Sequence, residues 1–366
     1  RRWQRGASCR QNFARSYRVE VSTTLLADGK GEAMGLRTVL ADPMLRMLAA
    51  AIAFAAIFPA LGEARNVAQT VANVAIFVLF LLNGMRIARS DIAAGASNWR
   101  FLLPLVTWVF GAMALTGLAL ASIAEGVLAP SVALGFLYLG TLPSTVQSAT
   151  SYTSLARGNI ALSVVGAALL NILGVFVTVP IFLALGGSGA GAVGMEAVGK
   201  IMLLLILPFA IGQAVQGFST AFIAKHKPKI AWIDRFAISV AIYVAFSGAV
   251  EQGIWTRVDG IDWLVIGMLV AAFLLVGNLG AWVAGGALKL SRQDRIAFLF
   301  AGAQKSAAVG APLATILFPP AEAGFIVIAL LLYHFFQLVV AAPVASRLAQ
   351  SNLRGDGDCA VPTTES

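Results

Sequence analysis

Long apolar stretches separated by short polar ones run along nearly the whole chain. A helix that crosses the hydrocarbon core of a bilayer needs about 20 mostly apolar residues. Ten stretches meet that measure: 44–61, 67–88, 101–123, 130–156, 159–185, 197–217, 233–253, 262–288, 295–317 and 323–348. Each predicts a transmembrane helix. Two carry helix breakers in mid-course. The fourth has Gly135, Gly140 and Pro143, and the ninth has Gly302, Gly310 and Pro312. Ten spans divide into five plus five, and an odd-numbered repeat must insert upside down relative to its copy. The interrupted span is then the fourth of each half. Inverted repeats with discontinuous helices around a midplane site are a common transporter plan. The expected fold is an all-α polytopic membrane protein of ten transmembrane helices, built as two inverted five-helix repeats.

Composition agrees. The chain is 59% hydrophobic and 12% charged, with a mean hydropathy of +0.84, whereas a soluble domain carries about 25% charged residues. Residues 34–348 form the ten-span domain, and 349–366 a polar C-terminal tail. Residues 1–33 are rich in Arg, lack an apolar run, and read as a basic disordered tail or upstream extension. Met34 is a natural start, and an Arg-rich targeting peptide is the lesser reading. Cys9 and Cys359 lie in the polar tails and define neither a disulfide framework nor a metal site.

The net charge of +9 is a topology signal rather than a nucleic-acid footprint. From Met34 on, with an even number of spans, the side holding both ends carries 15 Lys and Arg and the other side carries 3. Lys and Arg collect in cytoplasmic loops, so both termini are expected in the cytoplasm. The Lys225–Lys229 cluster belongs to this bias, as a loop between spans 6 and 7.

Lys305 belongs to neither side. It stands near the middle of span 9, in the run Gly302-Ala303-Gln304-Lys305-Ser306. A charge at that depth costs about 2.5–3.5 kcal/mol on insertion scales and marks a functional site by default. No span has Asp or Glu at its centre. Four readings of Lys305 stand open. It is a neutral amine, as burial favours; it faces helix C-terminal carbonyls, which carry partial negative charge; it pairs with an anionic substrate; or it snorkels to an interface.

The fourth span is the other polar one, with Ser144, Thr145, Gln147, Ser148, Thr150, Ser151 and Thr153 around Pro143. Pro143 breaks the helical ladder, and freed backbone groups need partners or a cavity. The hydroxyls either satisfy that backbone or line a solute or ion site. In span 5, Ser163 and Asn171 are two turns apart and share a face. Asn83, Gln213, Gln216 and Asn278 read as helix–helix glue. His334, near Tyr333 and Gln337, reads as structural or interfacial rather than as a proton relay.

The run Leu155-Ala156-Arg157-Gly158-Asn159, closing a proline-broken fourth span, and the Gly302–Ser306 run in a broken ninth resemble the bile acid:sodium symporter superfamily. The resemblance covers about residues 36–348. It implies that spans 4 and 9 cross at their breaks, and that a panel of spans 1, 2, 6 and 7 rocks against a core of spans 3, 4, 5, 8, 9 and 10. It also implies sodium beside the crossing and an organic anion between the two units. The chain departs from the family at the ion ligands. The family's span-9 glutamate falls on Phe300 and its asparagine on Lys305. Its span-3 glutamine falls near Trp108. Ser148 matches in span 4, but Ala149 or Thr150 stands where asparagine would be. Ser163 is kept in span 5, while the next hydroxyl position is Ala167.

The expectation is a secondary transporter of a small organic anion in a lipid bilayer, in a bacterial inner membrane, with altered or absent sodium coupling. The candidate site is Gly302, Gln304, Lys305, Ser306, Pro143, Ser144, Thr145, Gln147, Ser148, Thr150, Ser163 and Asn171. No cofactor is expected beyond sodium or a proton as coupling ion, and no nucleic acid. A non-transport membrane regulator of ion homeostasis is the alternative. The sequence offers no nucleophile–base pair and no HExxH run, so an enzyme is not expected, and a channel ranks last.

Overall fold

A computed structural model describes residues 41–87, 98–186 and 199–357. The expected tail 1–33 and the residues beyond 357 lie outside these. Among the described residues every regular element is helical. Helix α1 is Pro43–Ile57, started by Asp42, whose Oδ1 accepts from the Met44 and Leu45 amides ahead of a proline at the first turn. Both are strong N-terminal signals. Helix α2 is Glu63–Arg86. Helix α3 is Trp99–Ala124, with a π turn at Trp108–Ala112.

Span 4 is two helices, α4 (Pro130–Thr141) and α5 (Val146–Leu155). Helix α6 is Ile160–Gly186. Helix α7 is Gly199–Glu251, and α8 is the single turn Ile254–Arg257. Helix α9 is Gly260–Ala287, opened by an Asp259–Asp262 capping box and carrying a π turn at Val276–Gly280. Span 9 is also two helices, α10 (Arg292–Ala303) and α11 (Ala307–Leu317). Helix α12 is Pro320–Gly357, so it continues past residue 348 into the segment expected as a tail.

Among the described residues seven helices are long and apolar enough to cross a membrane, and α1 and α4 are shorter apolar helices. The chain is a polytopic, all-helical membrane protein. One expectation fails locally: the loop between spans 6 and 7. The chain stays helical through Lys225–Lys229, short only of the bond that Pro228, with no N–H, cannot donate. Lysine and alanine are good helix formers, and no glycine interrupts residues 218–247. The helix is bent all the same. A straight helix would hold Gly212 and Asp234 about 33 Å apart. Yet Gly212 packs on Gly84, and Asp234 pairs at 2.6 Å with Arg86, two residues further along α2. The bend lies between Gly212 and Asp234, a stretch that includes Pro228, and it folds α7 into two arms.

Close helix crossings hold the molecule together. A Cβ on Gly84 or Gly212 would overlap the backbone of the other helix, and the same is true of Gly117 and Gly140 where α3 meets α4. Small residues let helix backbones approach where lipid supplies no hydrophobic drive for association. The α10–α11 segment lies deepest of the long helices and is almost wholly buried. Its core position is what frames the site.

Candidate functional site

The two helix breaks meet. The Ser306 amide donates to the Pro143 carbonyl at 2.9 Å, one interruption bonding the other through the main chain. Between α4 and α5 the unwound residues are Leu142–Thr145, as Pro143 predicts. Between α10 and α11 they are Gln304–Ser306, and here the expected breakers play another part. Gly302 lies inside α10, and Gly310 and Pro312 lie inside α11. What restarts the helix is Ser306, whose hydroxyl caps the Val309 amide.

Lys305 sits in that break with no exposed surface. Its Nζ donates to three backbone carbonyls: Gly140 and Leu142 at 2.8 Å, and Val109 at 3.3 Å. An ammonium has three donors, so the cage matches its full capacity. Gly140 lies in the last turn of α4 and Leu142 is its C-cap, where unpaired carbonyls carry partial negative charge. Val109 lies in the π turn of α3. Among the described residues no ion pair involves Lys305. Of the four readings, the one facing helix C-terminal carbonyls describes this geometry, and snorkelling does not.

Around the cage the polar residues divide. Ser148 donates to Gln304 Oε1 at 2.9 Å, tying α5 to the second break. Asn171 donates to the Ser144 carbonyl at 2.7 Å and to Ala167 O in its own helix. Ser144 Oγ and Thr150 Oγ1 are buried without a partner. Thr145 is the N-cap of α5 but makes no side-chain cap bond, and Gln147 is exposed. Ser163 bonds to Thr153 at 3.1 Å rather than to any group of the cage. Ser163 and Asn171 share a helix but serve different partners.

Four contributors lie outside the candidate site read from the sequence. Gln337 Oε1 accepts the Lys305 amide at 2.8 Å, and its Nε2 donates to the Lys305 carbonyl at 3.1 Å. Tyr333 donates to Ala303 O, and Tyr138 to Gly310 O, both at 2.6 Å. Trp108 packs its indole where a Cβ on Gly302 or Gly280 would be. The polar cluster Tyr333, His334 and Gln337 was the available signal for two of these. Nothing in the sequence says which carbonyls they reach.

Two broken helices that meet at their breaks are what the resemblance implied, and comparison with known proteins bears on the family itself. A family model described as the SBF-like CPA transporter family matches residues 42–350. The chain belongs to that family. Among curated SBF-like relatives, the "Uncharacterized protein PA2026" of Pseudomonas aeruginosa is 36% identical over 312 residues, 85% of this chain and 94% of that protein. The "Putative symporter YfeH" of Escherichia coli is 35% identical over 310 residues, 84% and 92% of the two chains. "Sodium/bile acid cotransporter 7" of Mus musculus is 22% identical over 289 residues, 74% and 81%. The resemblance to the bile acid:sodium symporter superfamily is thereby borne out. Membership makes this chain an integral membrane protein of a transporter family.

Proposed function

We propose that the chain is a secondary active transporter of a small organic anion, working by alternating access, with the Lys305 ammonium standing where sodium-coupled relatives hold sodium. The observation that carries this reading is the three-carbonyl cage around a fully buried Lys305. Backbone carbonyls are hard oxygen donors suited to a monovalent cation, and here a covalently attached cation occupies them. The neighbouring positions where the family has ion ligands hold apolar bulk. Phe300 is fully buried against Tyr152, and Trp108 lies over Gly302. Transport is then sodium-independent, or coupled to protons through Lys305.

Two pairs of features support the inverted-repeat plan. Spans 3 and 8, which the plan makes equivalent, each carry a π turn in mid-course, at Trp108–Ala112 and Val276–Gly280, while a third, Met202–Ile206, lies in span 6. Spans 5 and 10 each send an amide side chain to a break carbonyl, Asn171 to Ser144 and Gln337 to Lys305. Counting the two arms of α7 separately gives ten spans. Spans 1, 2, 6 and 7 are then α1, α2 and the arms of α7, the panel. The ion pairs Arg65–Glu251 and Arg86–Asp234 run between α2 and α7 and so lie within it. The orientation we adopt puts both termini in the cytoplasm, and the two bacterial relatives favour a bacterial inner membrane.

The test is thermal stability of the purified protein in sodium, potassium and choline salts across pH, beside Lys305→Gln. A ligand that binds the native state raises apparent stability by mass action. The expected result is no sodium-specific stabilisation of the wild type, and a pH dependence that Lys305→Gln removes. Stabilisation by sodium over potassium would return the protein to ordinary sodium symport.

A further inference from the structure

Gln337 makes every bond its amide can make that bears on Lys305. The Lys305 amide only donates and its carbonyl only accepts, so the orientation of the Gln337 side chain is fixed: Oε1 on the amide at 2.8 Å, Nε2 on the carbonyl at 3.1 Å. One Nε2 hydrogen remains, and it points at His334 Nδ1, 2.8 Å away. That nitrogen must therefore accept. The imidazole that fits is neutral, with its proton on Nε2. A doubly protonated ring would set N–H against N–H, and Gln337 would have to leave either His334 or Lys305.

We propose that Gln337 is the positioning residue for Lys305, and that His334 makes this grip sensitive to pH. While His334 is neutral, Gln337 holds the break residue by both its backbone groups and keeps the ammonium aimed at Gly140, Leu142 and Val109. When His334 takes a proton, the clamp opens and the aim of Lys305 is lost. Charged and titratable groups about the ring are few. Lys305 lies across the clamp, Tyr333 precedes His334 on α12, and Tyr152 on α5 donates to Leu338 O at 3.0 Å one turn along. Asp42, at the head of α1, lies within electrostatic reach of both His334 and Tyr152. The proton would enter and leave at His334 Nδ1, with no other covalent bond made or broken.

The inference rests on the reading of Lys305 as the working cation, but its test reads the bond network and not transport. The chain has two histidines, so His226→Gln leaves His334 as a single reporter. Histidine-¹⁵N-labelled protein in lipid nanodiscs is followed by NMR as pH is lowered across the histidine range, from about 8 to 5. Hydrogen exchange of the peptide containing Lys305, corrected for intrinsic rates, is measured on the same samples. The expected result is a neutral ring protonated at Nε2 at the upper end, and loss of about tenfold in Lys305 protection as the ring protonates. His334→Asn keeps an acceptor near the Nδ1 position and cannot titrate in this range, so its protection should stay flat with pH. A ring protonated at Nδ1 at high pH would overturn the proposal. So would a ring that never protonates in this range, or protection that follows pH equally in His334→Asn. Failure of sodium independence or of anion transport would leave these readings unchanged, and so can be told apart.

Discussion

Lys305 reaches the carbonyl of Gly140, a residue 165 positions away in the chain, at 2.8 Å. That one bond joins the second helix break to the C-terminal end of α4, and with the Ser306–Pro143 bond it makes the two breaks a single unit. Loss of the ammonium would strip a partner from three buried carbonyls at once.

Lys305→Ala should therefore be strongly destabilised, by about 3–9 kcal/mol, since each of the three buried acceptors left unpaired costs about 1–3 kcal/mol. The variant should regain part of that stability in methylammonium or sodium chloride, which can refill the cage, but not in choline chloride. Thermal melts in the three salts at equal ionic strength check this. Equal melting temperatures in all three would deny that the cage is a cation site.

The clasp at the end of span 4 gives a second prediction. Asn159 donates to Asp294 Oδ1 at 2.7 Å, and its amide bonds to Gln293 O. Asn159→Ala should cost about 1.5–3 kcal/mol, as expected for a hydrogen bond to a carboxylate. Asn159→Asp should cost more, because it sets two carboxylates face to face. A double-mutant cycle with Asp294→Asn isolates the pair.

Arg157 holds a positive φ of 58° beside that clasp, and Lys289 does the same at 54° after α9. Left-handed backbone costs a residue with a side chain about 1–2 kcal/mol. Arg157 is exposed, so Arg157→Gly should gain about 0.5–1 kcal/mol, the relieved strain less the added freedom of the unfolded chain. A rise in melting temperature is the expected outcome. A fall would mean that the Arg157 side chain holds something.

The helix crossings give the opposite sign. Gly84→Ala and Gly212→Ala each force a methyl into the facing backbone, and neither backbone can yield without moving its helix. Each should cost about 1–3 kcal/mol, the range for overpacking. Gly199→Ala and Gly217→Ala are the controls, because a Cβ there meets nothing within 4 Å. The yield of monodisperse protein after solubilisation compares the four.

Much of this was legible in the chain. Spans announce themselves because lipid demands continuous apolar helices, and Pro143 marks its break because it cannot donate. Lys305 stands out because a charge has no casual reason to lie in an apolar run. The second break was harder to locate. Gly310 and Pro312 looked like its cause, yet both sit in helix, and the restart depends on the Ser306 cap. The grip of Gln337 was illegible, since side-chain bonds to a backbone 32 residues away leave no periodic trace. The π turns likewise follow from packing, as where the Trp108 indole needs room over Gly280 and Gly302. The Lys225–Lys229 segment misled for another reason. Its charge set it apart from the spans, but charge does not stop lysine from helping a helix.

That unbroken α7 has a mechanical consequence. A flexible loop would let the two arms swing independently. An elbow that stays helical, lacking only the bond Pro228 cannot donate, instead passes torque from one arm to the other. The second arm is wedged against α12, where Gly248 meets Pro320 and Gly324 meets Ala245. The first is locked to α2 by Gln213, which donates to the Gly84 carbonyl at 2.6 Å. The second arm also pairs with α2 directly, through Asp234–Arg86 and Glu251–Arg65, so a twist begun at α12, the helix that grips Lys305, reaches α2 along both arms at once.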